Sequence, residues 1–115
     1  MIIITIEMEV PPDKTKELLQ TLLAIIERIR METGCISCDF LKDVGDENRY
    51  RIIGKWKRQY DLNHHMRSEE FSVLCGAMIL LQKQPEIRLD VVSCTKGMES
   101  LHKARDVQKR NNVRG

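Results

Sequence analysis

Four cysteines and three histidines carry most of this chain's capacity for chemistry. Cys35 and Cys38 form a lone C-x-x-C, and Cys75 and Cys94 stand far from it. A zinc ribbon needs a second pair at similar spacing, and a thioredoxin-type motif needs a strand-to-helix turn around the pair. Neither is present. Read as part of a strand, the two thiols leave opposite faces and cannot readily share one ion, so ordinary packing is expected. His64 and His65 are neighbours and point about 100° apart on a helix, which gives no common metal face. Asp61 and His65 have i,i+4 spacing, which suits either two ligands or a plain helix pair. No glycine-rich phosphate loop, G-x-S-x-G or H-E-x-x-H occurs, and no metal site is expected. All five aromatic residues (Phe40, Tyr50, Trp56, Tyr60 and Phe71) fall between positions 40 and 71. A stacking platform for nucleic acid needs more rings than that. Their clustering narrows the search for a site to this stretch, with His65 inside it.

The 115 residues are 42% hydrophobic and 31% charged, enough for one domain with an aliphatic core. No apolar run is long enough to cross a membrane, and the opening Met1-Ile2-Ile3-Ile4 lacks the features of a secretory leader. A cytoplasmic protein with reduced thiols is therefore expected. Charge is uneven. Residues 96–115 hold six basic and two acidic groups, a net of +4, which leaves the first 95 at −2 of the chain's total of +2. Such a basic tail suits a solvated C-terminus, or contact with an anionic partner.

These residues need a scaffold, and hydropathy supplies one. Residues 2–10 alternate as a strand, with Ile2, Ile4, Ile6, Met8 and Val10 on one side. Pro11-Pro12-Asp13 opens a helix to about Glu32, with Leu18, Leu19, Leu22, Leu23, Ile25, Ile26 and Ile29 as its apolar stripe, and Gly34 closes it. Residues 35–42, with Ile36, Cys38 and Phe40 on one face, pair as a hairpin with 49–57, where Tyr50, Ile52, Gly54 and Trp56 share a face. Residues 59–83 are helical with a break near Ser68, a plausible N-cap. Pro85 stops that helix, 86–95 is a fourth strand, and 98–109 suits a short terminal helix. The order β-α-β-β-α-β predicts an α+β, ferredoxin-like subunit over residues 1–95, a four-stranded antiparallel sheet with both helices on one face, followed by the basic tail 96–115. Strands carrying bulk on both parities, as at Ile3 and Ile53, predict that a second copy covers the other sheet face.

Gly34-Cys35, the hairpin, Trp56, and then Leu62, His65, Met66, Ser68 and Phe71 resemble the antibiotic biosynthesis monooxygenase (ABM) domain family across residues 1–95. The resemblance implies a dimeric α/β barrel, formed by sheet-to-sheet pairing of two ferredoxin-like subunits. It implies oxidation of a small electron-rich aromatic or quinol-like substrate by dioxygen, without metal, flavin or haem. It makes His65 the candidate base, with Trp56, Tyr50, Tyr60 and Phe71 around the substrate. Haem-degrading relatives place a histidine near the position of Cys75 and an asparagine on the first strand, and this chain has neither. Relatives that process small hydroxy-ketone signals keep a histidine where His65 stands, so an isomerase or degradative enzyme is an alternative, with Arg51, Arg67 and Arg88 available to an anion. A non-catalytic dimeric binding module is the third reading.

Overall fold

A computed structural model describes residues 1–114, with side chains through residue 106. The strands are β1 (Ile2–Glu9), β2 (Cys35–Lys42), β3 (Arg49–Trp56) and β4 (Glu86–Val91), and the helices are α1 (Thr15–Ile29), α2 (Gln59–Met66), α3 (Glu69–Ile79) and α4 (Met98–Arg114). The sheet runs β2-β3-β1-β4 and every pairing is antiparallel. This is the expected ferredoxin-like order. Alternation along β1 decides which face meets the helices: Ile2, Ile4, Ile6 and Met8 are buried. They pack in one core with Leu18, Leu22, Ile25, Ile26 and Ile29 of α1 and Leu74, Ala77 and Met78 of α3. Leu23, assigned to the apolar stripe by sequence, instead points out and is 55% exposed. The diproline stretch makes a short 3-10 turn at Pro12–Lys14 before α1 begins.

Three expectations are corrected. An irregularity between Cys35 and Ser37 makes Ile36 an extra residue in β2, since Cys35 pairs with Trp56 and Ser37 with the adjacent Lys55. A bulge of this kind inverts the alternation. Cys35 and Cys38, opposite Trp56 and Gly54, therefore lie on the same face, while Ile36 is exposed. The second correction concerns the apolar bulk expected on the open face of the sheet, which is largely a charged lattice. Glu7 binds Arg49 at 3.1 Å and Arg51 at 2.7 Å, and Arg88 binds Asp90 at 3.1 Å. The Arg49 hydrogen bond, helped by Arg51, holds the Glu7 carboxyl below its ordinary range. Ile3, Thr5 and Ile53 form only a small apolar centre within it. The larger uncovered apolar strip is on the helix side of β4: Ile87, Leu89 and Val91 stand opposite Ile6, Ile4 and Ile2, yet remain exposed.

The third correction is the terminal helix, which continues to Arg114 and beyond the expected Lys109. Its Met98 and Leu101 are exposed, so it extends from the sheet and helix layers instead of packing on them. The expected basic character of the tail rests partly on Lys109, Arg110 and Arg114, whose side chains lie outside the described residues. No described helix is long and apolar enough to cross a membrane.

The turn from α1 to β2 depends on Gly34, the one described residue with positive φ, at 83°. A Cβ at this position would run into the Asp61 carboxylate. Gly34→Ala is expected to lose about 3 kcal/mol of stability, combining left-handed strain with displacement of a buried charge, as read by urea denaturation.

Candidate active site

β3 delivers Trp56 to the edge of the core, and the two short helices that follow bring the other rings to it. On α2, Asp61, Leu62 and His65 form the buried side. His65 is 4% exposed and stacks on Trp56, with ring centroids 4.5 Å apart and planes 25° from parallel. Phe71 meets the imidazole edge-on, at 5.3 Å and 69°. Ser68 fixes both partners. Its hydroxyl donates to the His65 carbonyl at 2.6 Å and accepts the Phe71 backbone N–H at 3.2 Å. The break between α2 and α3, predicted from Ser68 as an N-cap, therefore sets the relative placement of imidazole and phenyl rings.

A carboxylate completes the arrangement. Glu32, in the turn after α1, lies 2.7 Å from His65 Nδ1. Its own backbone is held by the Cys35 N–H on the Glu32 carbonyl at 3.1 Å. The turn is further tied to β2 by Arg30 Nε, which donates to the Cys38 carbonyl at 2.8 Å. The contact fixes the imidazole orientation, and in the tautomer where Nδ1 donates to the carboxylate, Nε2 is the acceptor. Among the described residues Nε2 takes no hydrogen bond, which leaves it available as a proton acceptor. This is the orienting logic of a carboxylate–histidine pair in general acid–base catalysis.

Beside the stack is a small slot of about 10 Å³, lined by Ile4, Ile6, Ile29, Cys38, Ile52, Gly54, Trp56, His65, Phe71 and Leu74. Phe71 is its only lining residue that is not fully buried. Trp56 is 1% exposed, and its indole N–H is the one buried side-chain polar atom without a partner among the described residues. Leaving such a donor unpaired costs about 1–3 kcal/mol, which makes it a feature that needs a reason.

Of the residues expected around a substrate, His65, Trp56 and Phe71 come together. Tyr50 does not join them: buried and stacked on Phe40 at 5.4 Å, it sits near the other end of β3. Tyr60 is 73% exposed on the outer side of α2. Asp61 pairs with Arg58 at 3.2 Å while His65 pairs with Glu32, so the i,i+4 couple serves two separate contacts. No group of three potential metal ligands occurs among the described residues. Arg51 and Arg88 are engaged by Glu7 and Asp90 on the open face, and Arg67 caps α2, so none of the three lines the slot. Cys38 lines it as a thiol, since burial pushes its pKa up to about 12. Glu32 is the participant that sequence reading passed over. Its only sequence signal is an acid placed two residues before Gly34 at the end of an amphipathic helix.

The family model for antibiotic biosynthesis monooxygenase matches residues 1–75. An uncharacterized protein of Synechocystis sp. is 28% identical over 96 residues, covering 83% of this chain and 65% of that protein, so this chain spans less than two thirds of that relative. The Bacillus subtilis protein named "Putative monooxygenase YcnE" is 28% identical over 71 residues, 62% of this chain and 75% of its own. Among solved structures, a conserved protein of Methanosarcina mazei superposes with TM-score 0.73 at 24% identity, covering 77% of this chain and 89% of its own. A structure from Deinococcus radiodurans, described as a "putative antibiotic biosynthesis monooxygenase", superposes with TM-score 0.79 at 17% identity, covering 85% and 98%. At those identities the structural likenesses establish the fold alone.

Two outcomes follow from the geometry. Ser68→Ala is expected to cost about 1 kcal/mol by urea denaturation, the usual worth of an N-cap. It should also shift the His65 and Phe71 ring resonances. In native protein at pH 8, Ellman's reagent should label exposed Cys94 and leave Cys38 untouched. The thiolate is the reactive form, and the raised pKa keeps Cys38 protonated until the pH approaches about 12.

Proposed function

The chain belongs to the antibiotic biosynthesis monooxygenase family, and from that premise we propose that it oxidises a small electron-rich aromatic or quinol-like molecule with dioxygen, unaided by metal, flavin or haem. The observation that carries this reading is the Glu32–His65 pair, which holds Nδ1 at 2.7 Å and leaves Nε2 unbonded beside an apolar slot. The slot is too small for an aromatic ring, so the substrate must displace Phe71, the one lining residue that is not fully buried.

Nε2 takes a proton from the substrate, and Glu32 stabilises the imidazolium that results. The substrate anion passes one electron to dioxygen, giving a substrate radical and superoxide. These combine into a C–O bond. Cleavage of the O–O bond then leaves one oxygen atom as a carbonyl and releases the other as water, whose two hydrogens are the proton that the imidazolium returns and the single hydrogen of the oxidised ring carbon. Enclosure matters because desolvation strengthens every interaction with the developing anion and protects the radical pair from water. Trp56 supplies an N–H for an oxygen atom in the slot, and Phe71 packs against the substrate ring. The reading as an isomerase for an anionic hydroxy-ketone receives less support, because the arginines it would use are paired on the open face or lie off the slot.

We further take the working unit to be a homodimer joined through the open sheet faces. Opposite charges are interspersed across that face around Ile3, Thr5 and Ile53, a pattern able to match its own copy across a twofold axis. Sedimentation equilibrium should give twice the chain mass, and a monomer at all concentrations would remove the dimer.

Oxygen uptake with a panel of hydroquinones tests the activity. His65→Ala is expected to lower the turnover rate about 10²–10⁴-fold, the range for removing a general base. Glu32→Gln should lower it less, because it leaves the base in place but unsupported. Absence of uptake with every hydroquinone, or uptake unchanged in His65→Ala, overturns the assignment.

A further inference from the structure

We infer that α3 is the gate of the slot, and that it opens by pivoting on α1, closing a second cavity as the slot widens. The inference rests on the slot being where a substrate must fit, although the motion stands on separate observations. The second cavity is a groove of about 420 Å³ between Glu17, Leu18 and Thr21 in the first half of α1 and Gly76, Ala77 and Leu80 at the far end of α3. It faces solvent, with its Val73 and Leu80 43% and 59% exposed.

Slot and groove lie at opposite ends of one helix pair. The slot takes Ile29 from the last turn of α1 and Phe71 from the first turn of α3, so the two helices run antiparallel. Leu22, midway along α1, and Leu74, midway along α3, are buried in the shared core and supply a fulcrum. Drawing the groove end together therefore lifts Phe71 away from His65 and Trp56. The other walls are less free to move. They belong to hydrogen-bonded strands, to α1, or to α2, whose His65 is held by Glu32 at 2.7 Å. By contrast, α3 follows the break at Ser68 and runs out into the loop before Pro85.

Two features favour the motion. Closing the groove takes Val73 and Leu80 out of water, which offsets the apolar surface uncovered at the slot. Gly76 is the other. Glycine inside a helix weakens it, yet a Cβ at this position meets nothing within 4 Å. Packing with the slot shut therefore does not call for glycine. An approaching α1 does, since a residue without a side chain leaves the groove free to close.

Trp56, the chain's single tryptophan, reports the motion. Its indole N–H lies inside the slot on a side chain 1% exposed, and it exchanges with heavy water only when the slot opens. In nitrogen–proton correlation spectra of the full chain, this proton should exchange faster than the backbone amides of the equally buried Leu22 and Ile26, which follow global unfolding. Gly76→Leu, which fills the groove and leaves the slot walls alone, should slow indole exchange about tenfold relative to those amides. Thr21→Phe, filling the groove from α1, should do the same, and either variant decides the matter if the other does not fold. Indole exchange as slow as that of Leu22 and Ile26, or unchanged in both variants, overturns the pivot. Slowing in a folded Gly76→Leu but not in a folded Thr21→Phe marks fraying of α3, cured by a better helix former, and overturns it as well. Oxygen uptake plays no part in this readout. Its failure would remove the oxidation and leave the gate, whereas unchanged exchange would remove the gate and leave the oxidation.

Discussion

The close approach of Gly34 to Asp61 is the constraint around which the rest is arranged. With no side chain at position 34, the Asp61 carboxylate lies directly over the turn backbone. The Gly34 carbonyl accepts the Lys57 N–H at 2.8 Å, and Cys35 pairs with Trp56 at the start of β2. The end of α1 is thereby clamped to the junction of β3 and α2. Only with those segments in contact can Glu32, from one side, reach His65, from the other. The polar pair and the ring stack are consequences of a backbone fit.

That clamp also explains why a half-buried carboxylate and a buried imidazole are tolerated. Burial of a charged pair rarely adds stability by itself, and removing one partner strands the other at a cost of several kcal/mol. Here the aliphatic core of β1, α1 and α3 supplies the favourable free energy, at roughly 1.5–3 kcal/mol for each fully buried large side chain. The site is then held rigid by a few short bonds. Ser68 holds two rings, Arg30 holds the turn to β2, and Glu32 holds the imidazole. Such preorganisation spares the reorganisation that a charge-forming step would otherwise require.

Much of this scaffold is legible in the chain. Alternation in Ile2–Met8, the stripe from Leu18 to Ile29, the hairpin and the Ser68 break are all short-range patterns, and each corresponds to an observed element. What escaped has a common physical cause. An inserted residue such as Ile36 leaves hydrophobicity unchanged but inverts the parity of its neighbours, so Cys35 and Cys38 meet the same face. Glu32 reads as one more solvated acid at a helix end, and its partner is 33 positions away. Aromatic clustering in sequence did not translate into clustering in space. Tyr50 shares a strand face with Trp56, but six residues of strand separate them by about 20 Å, and Tyr60 faces out of α2 although it is five residues from His65. The family resemblance added the choice of His65 over His64, which spacing alone did not make. In the structure His65 is buried among rings and His64 is exposed.

The extended α4 affects how the molecule behaves in flow. A chain of 115 residues packed as a sphere-like domain has a radius of gyration of about 13 Å, whereas this one has 18.4 Å, with a longest dimension of 58 Å. A protruding rod adds friction out of proportion to its mass. On a sizing column, or in any measurement that reads diffusion, a single chain will pass for something heavier, and a compact pair of chains can be hidden behind the same elution volume. Friction and mass must therefore be separated before this molecule's assembly is described in numbers.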